Sequence, residues 1–171
     1  REKPFAIMAK NLETAKSFAE VNSKEQELLT SPARPIILLN KSPTYNLSPL
    51  VSPNLHNVGV MMPYTGLHYM LFDQVSDPAF VMTSANPPNQ PIVKDNAEAL
   101  EILGGSVDYF LFHNRKIAYR CDDSVMRVHD DRPVFLRRSR GYAPAPIRLK
   151  TKSKRCTVGL GGELNDTSCI L

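Results

Sequence analysis

Pro35-Ile36-Ile37-Leu38-Leu39 is an unbroken apolar run between Arg34 and Asn40. A short run of this kind, bounded by turn residues, reads as a strand buried on both faces. Residues 58–62 and 79–82 repeat the pattern, and 4–9 supply another short strand. Residues 108–112, 124–129 and 133–138 complete the predicted series. Helix signals lie between the strands. Asn11 offers an N-cap ahead of Leu12, Ala15, Phe18 and Ala19, whose spacing is helical through Glu20. Ser23, with Gln26 three residues on, has the form of a capping box for a helix ending near Leu29. Pro63-Tyr64-Thr65 leads into a helix over 67–72. Asp95 or Asn96 caps another over 97–103, stopped by Gly104-Gly105. Strands alternating with helices predict an α/β fold, a twisted open mixed sheet with flanking helices. Ligands in such sheets bind beyond the carboxyl ends of strands, so the loops after apolar strands are the places to look.

The 171 residues suffice for one ordinary domain and a short flanking piece. With 42% hydrophobic and 22% charged residues, wholesale disorder is excluded. No apolar run approaches the ~18 residues of a membrane span, and no signal-peptide core follows the basic start. Cys121, Cys156 and Cys169 form no C-x-x-C pair, which argues against a disulfide scaffold or structural zinc and for a reducing, cytoplasmic compartment. Fourteen prolines predict many rigid turns. The chain opens on Arg1-Glu2-Lys3 directly before an apolar stretch and closes inside Cys169-Ile170-Leu171, which reads as a piece of a longer polypeptide.

The net charge of +4 is unevenly spread: residues 113–155 carry +9 and the remainder −5. Concentrated positive charge attracts phosphate-bearing partners, whether nucleotide, RNA or DNA. Residues 148–155 read as a solvated basic linker. In 113–142 the arginines alternate with apolar residues, as they would on ordered strands.

Three loops carry candidate chemistry. Met82-Thr83-Ser84-Ala85-Asn86-Pro87-Pro88 delivers two hydroxyls and a carboxamide from a buried strand, groups that bind oxyanions without changing protonation state. The same residues would serve equally as a turn capping the next helix. His113-Asn114-Arg115-Lys116-Ile117 with Arg120-Cys121-Asp122-Asp123-Ser124-Val125 sets adjacent carboxylates beside arginines, a pattern for Mg²⁺ and phosphate. In extended backbone only one of Asp122 and Asp123 can face a given side, and a turn bonding its own backbone is the competing reading. Arg137-Arg138-Ser139-Arg140-Gly141-Tyr142 crowds three guanidiniums that need anions or acids around them, with Gly141 permitting close approach to a ligand. A basic edge strand that resists aggregation is the alternative. Neither GxxxxGK[ST] nor GxGxxG occurs, and no Gly-x-Ser-x-Gly elbow exists. His56, His68, His113 and His129 show no ligand spacing, and His68 reads as packed rather than catalytic.

Taken in order, these segments resemble the YrdC-like domain of the HypF carbamoyltransferases. The likeness runs through Lys3-Pro4-Phe5-Ala6-Ile7-Met8, Leu29 to Leu39, Gly59-Val60-Met61-Met62-Pro63-Tyr64-Thr65 with Leu67-His68, and Met82 to Asn86. It closes with His113-x-Arg115-x-Ile117-x-x-Arg120-x-Asp122-Asp123-Ser124-Val125-x-Arg127 and Arg137-Arg138-x-Arg140-Gly141-Tyr142-x-Pro144. The resemblance implies a concave basic face and a module of [NiFe]-hydrogenase maturation. Such a module uses ATP with Mg²⁺ and carbamate, made elsewhere from carbamoyl phosphate, to form carbamoyl-adenylate and pyrophosphate. The carbamoyl group would then pass to a HypE-type protein. The residues implied as catalytic are Ser84, Asn86, Lys3 and Arg138. Nucleotide contacts fall to Thr83, Arg115, Arg120, Ser124, Arg138, Arg140 and Tyr142, and metal contacts to Asp122 and Asp123.

Residues 1–148 would be the YrdC-like nucleotide-binding domain, 149–155 a linker, and 156–171 the start of a sugar-kinase-like domain, since Gly161-Gly162-Glu163-Leu164-Asn165-Asp166-Thr167 resembles its opening. The family's Lys-x-Arg pair lies upstream of the Lys-Pro-Phe run and is largely missing. The first strand is therefore expected to be truncated and this chain alone inactive. Ala85 replaces the Gly common in HypF members. Two other functions stand beside this one: a YrdC module binding double-stranded RNA or tRNA, and a free-standing threonylcarbamoyl-adenylate synthase. Few exposed aromatics are expected among the arginines, which disfavours RNA.

Overall fold

The computed structural model describes residues 4–150, 155–161 and 168–170. It divides into two compact units, Arg1–Thr83 with Cys121–Pro144, and Ser84–Arg120 with Ala145–Leu171.

The first unit holds a six-stranded mixed sheet in the order β4-β1-β3-β2-β5-β6. Its strands are β1 (Ala6–Ala9), β2 (Ile36–Asn40), β3 (Asn57–Met61), β4 (Ala79–Met82), β5 (Val125–His129) and β6 (Arg132–Arg137). The β1–β3 and β2–β5 pairings are parallel; β1–β4, β2–β3 and β5–β6 are antiparallel. Alternate side chains feed two apolar layers, as the pleat requires. Ile7, Ala9, Ile37, Leu39, Val58 and Val60 join Phe18 of α1 (Leu12–Phe18) and Leu28 and Leu29 of α2 (Ser23–Thr30). Met8 and Met61 join Phe72 of α3 (Gly66–Gln74) on the other layer, where Phe72 stacks on Phe80 at 4.3 Å. Strand β3 is buried on both sides, as the apolar run predicts, whereas β2 alternates buried with half-buried positions. Gly59 keeps the crossing tight, because a Cβ there would sit 3.2 Å from the Ile36 side chain.

The helix starts follow from their caps. The Asn11 side chain accepts from Thr14 N at 2.8 Å, and the Thr65 hydroxyl accepts from His68 N at 3.3 Å. The capping box of α2 lies one residue before the expected pair. Asn22 accepts from Glu25 N, and Glu25 accepts from Asn22 N, both at 2.9 Å. Two overlapping pairs fit the capping-box pattern here, and the backbone turns at Asn22.

The second unit contains α4 (Asn96–Leu103) and an antiparallel pair, β7 (Val158–Leu160) with β8 (Ser168–Ile170), which the sequence reading did not anticipate. None of its described residues is buried. The strand expected over 108–112 does not form. Those residues pair with no neighbour, and Tyr109 and Leu111 stay exposed. No described helix is long and apolar enough to cross a membrane.

Candidate functional site

The loop after β6 is held from beneath by Ser124. This fully buried serine donates to Arg140 O at 2.9 Å and accepts from Ser139 N at 2.8 Å. Both capacities of its hydroxyl thus serve the loop. Arg140 extends the same scaffold. Its Nε lies 2.9 Å and its Nη2 2.8 Å from Asp123 Oδ1. Its Nη1 donates to Ala33 O at 3.0 Å and its Nη2 to Arg34 O at 2.9 Å. The guanidinium lies 3.5 Å from the centroid of the Tyr64 ring, within cation–π range. A planar cation with an acid, two carbonyls and an aromatic face is already compensated. Arg140, expected to contact a nucleotide, here ties the 139–142 turn to residues 33–34.

Gly141 explains why that turn can close. Its φ is +86°, and a Cβ would meet Ala33 atoms at 2.7–2.8 Å. The close approach read from Gly141 is therefore made to the chain's own backbone. Arg138 Nη2 donates to Tyr142 O at 2.7 Å, and the Tyr142 ring meets Phe135 edge-on at 4.7 Å. Asp122 lends its carbonyl to Arg140 N at 3.1 Å. Thr83 is exposed just past β4. Lys3 lies outside the described residues.

Tyr64 and His68 belong to this cluster and escaped the sequence's list of site residues. The Pro-Tyr-Thr-x-Leu-His string was their one signal. Their rings meet edge-on at 4.5 Å, and Tyr64 N points to His68 Nδ1 at 3.4 Å. Burial raises the Tyr64 pKa, helped by the Asp123 charge and opposed by Arg140. Burial also lowers the His68 pKa, and the Arg140 charge adds to that. Both shifts favour the neutral forms, and the ring contact fits His68 as a packed residue.

The other candidates fall in the second unit. Asn86 Nδ2 donates to Pro87 O and Gln90 O, each at 3.0 Å, so its carboxamide staples the Pro-rich turn. Its Oδ1 is buried without a partner. Ser84 is half-buried, and its carbonyl accepts from Asn86 N at 3.1 Å. Arg120 Nε donates to Ile92 O at 2.6 Å, and its guanidinium reaches Glu98 at 4.0 Å. Arg115 lines a hollow of about 240 Å³ with Lys94, Asp95, Asn96, His113 and Lys116. Aromatics are more available here than expected: Tyr109 and Tyr119 are 92% and 88% exposed.

The carboxylates do not assemble a metal cage. Asp123 is turned to Arg140, and no cluster of three or more His, Cys, Asp or Glu suited to a metal occurs among the described residues. A magnesium ion here would take most of its ligands from substrate phosphates and water, as Mg²⁺ in nucleotide sites commonly does.

Residues 1–139 match the model of the Sua5/YciO/YrdC family, described as telomere recombination. The chain is 51% identical over 170 residues to the probable carbamoyltransferase HypF of Methanocaldococcus jannaschii, covering 98% of this chain and 22% of that protein. It is 40% identical over 175 residues to the carbamoyltransferase HypF of Rhizobium leguminosarum bv. viciae, covering 99% of the chain and 23% of the relative. It thus spans between a fifth and a quarter of these relatives' length. Among solved structures, HypF of T. kodakarensis superposes with a TM-score of 0.89 at 49% identity, covering 99% of this chain and 22% of that one. A full-length HypF in its phosphate- and nucleotide-bound form gives 0.89 at 42%, covering 98% and 22%. P. abyssi Sua5, complexed with L-threonine, shares the fold at 0.67 and 20%, covering 81% and 40%. The chain belongs to the Sua5/YciO/YrdC family and is similar to the HypF carbamoyltransferases over nearly its whole length.

Proposed function

We propose that this chain is the nucleotide-using module of a HypF-type carbamoyltransferase. The observation that carries the reading is the high identity to HypF proteins along nearly every residue, against a likeness of fold alone to Sua5. In this reaction a carbamate oxygen attacks the α-phosphorus of ATP in line. The bond to the pyrophosphate oxygen breaks, giving carbamoyl-adenylate and pyrophosphate. The step needs alignment and charge neutralisation more than a protein nucleophile. Arg115 and Arg120 supply positive charge, Ser84 orients the reacting groups, and Mg²⁺ arrives with the phosphates. Ser124 and Arg140, by contrast, hold the 139–142 turn of the first unit in place. The carbamoyl group then goes to a cysteine of a HypE-type acceptor. Residues 1–148 form the module, 149–155 link it, and 156–171 open the transferase domain.

A second reading, RNA binding, draws on Tyr109 and Tyr119, exposed in the same unit as Arg115, Lys116 and Arg120. It predicts affinity for RNA that falls steeply with salt.

The test uses the full-length parent with ATP and Mg²⁺, following pyrophosphate release. Release that requires carbamoyl phosphate supports the proposal. Release that requires threonine and bicarbonate instead replaces it with threonylcarbamoyl-adenylate synthesis.

A further inference from the structure

The six-stranded sheet ends on two unlike strands. On β4, at one edge, three of the four residues are half-buried, whereas all six residues of β6, at the other, are exposed. An edge strand leaves backbone N–H and C=O groups open to a further strand. The side chains of β6 add apolar surface, since Val134, Phe135 and Leu136 are 42%, 39% and 56% exposed. Arg132 and Arg137 close the apolar run at its two ends, and Arg127 lies beside Val134 on β5. None of these three arginines makes an ion pair among the described residues. The nearby acids Asp130 and Asp131 form the turn between the two strands, where Asp130 lies 3.6 Å from His129. The edge is also guarded. Pro133 removes one donor, and Leu136 is an extra residue without a partner on β5, because Met126 pairs with Phe135 and Val125 with Arg137. Such devices keep a strand from pairing indiscriminately. A strand covered for good by its own chain has no need of them.

Charge decides the kind of partner. Two copies joined antiparallel through β6 would set Arg132 of one against Arg137 of the other, and like charges directly opposed destabilise a strand pair. A parallel pair would set each arginine near its own counterpart. A strand with acidic ends turns both repulsions into attractions. We propose that the free edge of β6 docks an extended segment of a separate acidic protein, whose carboxylates meet Arg132 and Arg137 and whose apolar centre lies along residues 134–136. Main-chain hydrogen bonds along the edge supply affinity, and the flanking charges supply selectivity. The inference stands apart from the carbamoyl chemistry proposed above.

The test gives the full-length parent a labelled peptide, Asp-Glu-Val-Thr-Val-Thr-Glu-Asp, or its basic counterpart, Lys-Lys-Val-Thr-Val-Thr-Lys-Lys. Fluorescence anisotropy reads binding, and hydrogen exchange reads the amides of residues 134–137. Saturable binding of the acidic peptide alone, with slowed exchange at those amides, is the expected result. The double variant Arg132→Glu/Arg137→Glu should bind the acidic peptide about tenfold or more weakly, as two cross-strand attractions become repulsions. It should also gain binding of the basic peptide with slowed exchange at the same amides, a gain that only a folded edge can give. The proposal is overturned if both peptides bind the parent alike, if neither binds, or if the protected amides lie elsewhere. Slow exchange at β6 in the parent without peptide overturns it too. Unaffected by dilution, that protection assigns the edge to the parent's own chain; lost on dilution, it assigns the edge to a second copy.

Discussion

The two units of this chain use positive charge in opposite ways. In the first, Arg140 is enclosed by Asp123, two carbonyls and the Tyr64 ring, and its work is to hold backbone in place. In the second, Arg115 and Lys116 stand on an exposed wall with no acidic partner among the described residues. The difference follows from burial. Every buried side chain of the apolar core belongs to the first unit, and a cation near a core needs compensation from its own chain. A cation facing water has no such requirement and remains available to a ligand. Arginine content alone therefore says little about phosphate binding; the surroundings of each guanidinium decide its role.

The sharpest way to break this contrast is to attack the core. Phe18→Ala removes a fully buried ring between helix and sheet and should cost about 3–5 kcal/mol in chemical denaturation. A loss below about 1 kcal/mol would mean that the sheet unit is not the stable body described. Gly141→Ala comes next. Its φ of +86° and the overlap with Ala33 should cost about 1–3 kcal/mol through strain. A neutral result would dissolve the link between the 139–142 turn and residue 33.

A pH measurement sharpens the same region. His68 is held below its ordinary value of 6.5 by burial and then by Arg140. The unfolded chain takes up that proton first, so stability is complete above pH 6.5 and declines as pH falls toward the folded value. His68→Phe should flatten that decline, read from unfolding midpoints across the acid range. The same slope in parent and variant would remove His68 from the cluster. The smallest effect is expected in the second unit. The Arg120–Glu98 pair spans 4.0 Å near the surface, so Glu98→Gln should shift stability by less than about 0.5 kcal/mol. A larger loss would reveal structural work by charge where none is expected.

These regions also differ in how far the sequence reveals them. Strand β3 was legible because continuous burial leaves a continuous apolar run, as at residues 58–61, while the equally apolar run 36–39 marks a strand whose burial alternates. Residues 108–112 carry a similar run, yet a strand needs an edge to pair with, and local composition does not report that. The α2 cap was misread by one residue because Asn22–Glu25 and Ser23–Gln26 both satisfy the pattern. Around the candidate site, the sequence brought forward the right segments but not the division of labour within them. The partners that enclose Arg140 include Ala33 O, 107 residues away in the chain, and main-chain carbonyls leave no mark in residue type. Asn86 looked like a ligand group because a carboxamide after a strand serves equally well in a turn, and here it bonds Pro87 and Gln90.

The proposed chemistry makes a claim about one oxygen atom, and that atom can be followed. Carbamoyl phosphate labelled with heavy oxygen at its carbonyl would be given, with ATP, to the full-length parent and its protein acceptor. Attack of carbamate on the α-phosphorus, followed by carbamoyl transfer, must leave heavy oxygen in the phosphate of AMP and none in pyrophosphate. AMP that forms in step with carbamoyl transfer yet carries no label would contradict the adenylate and, with it, the role proposed for this module.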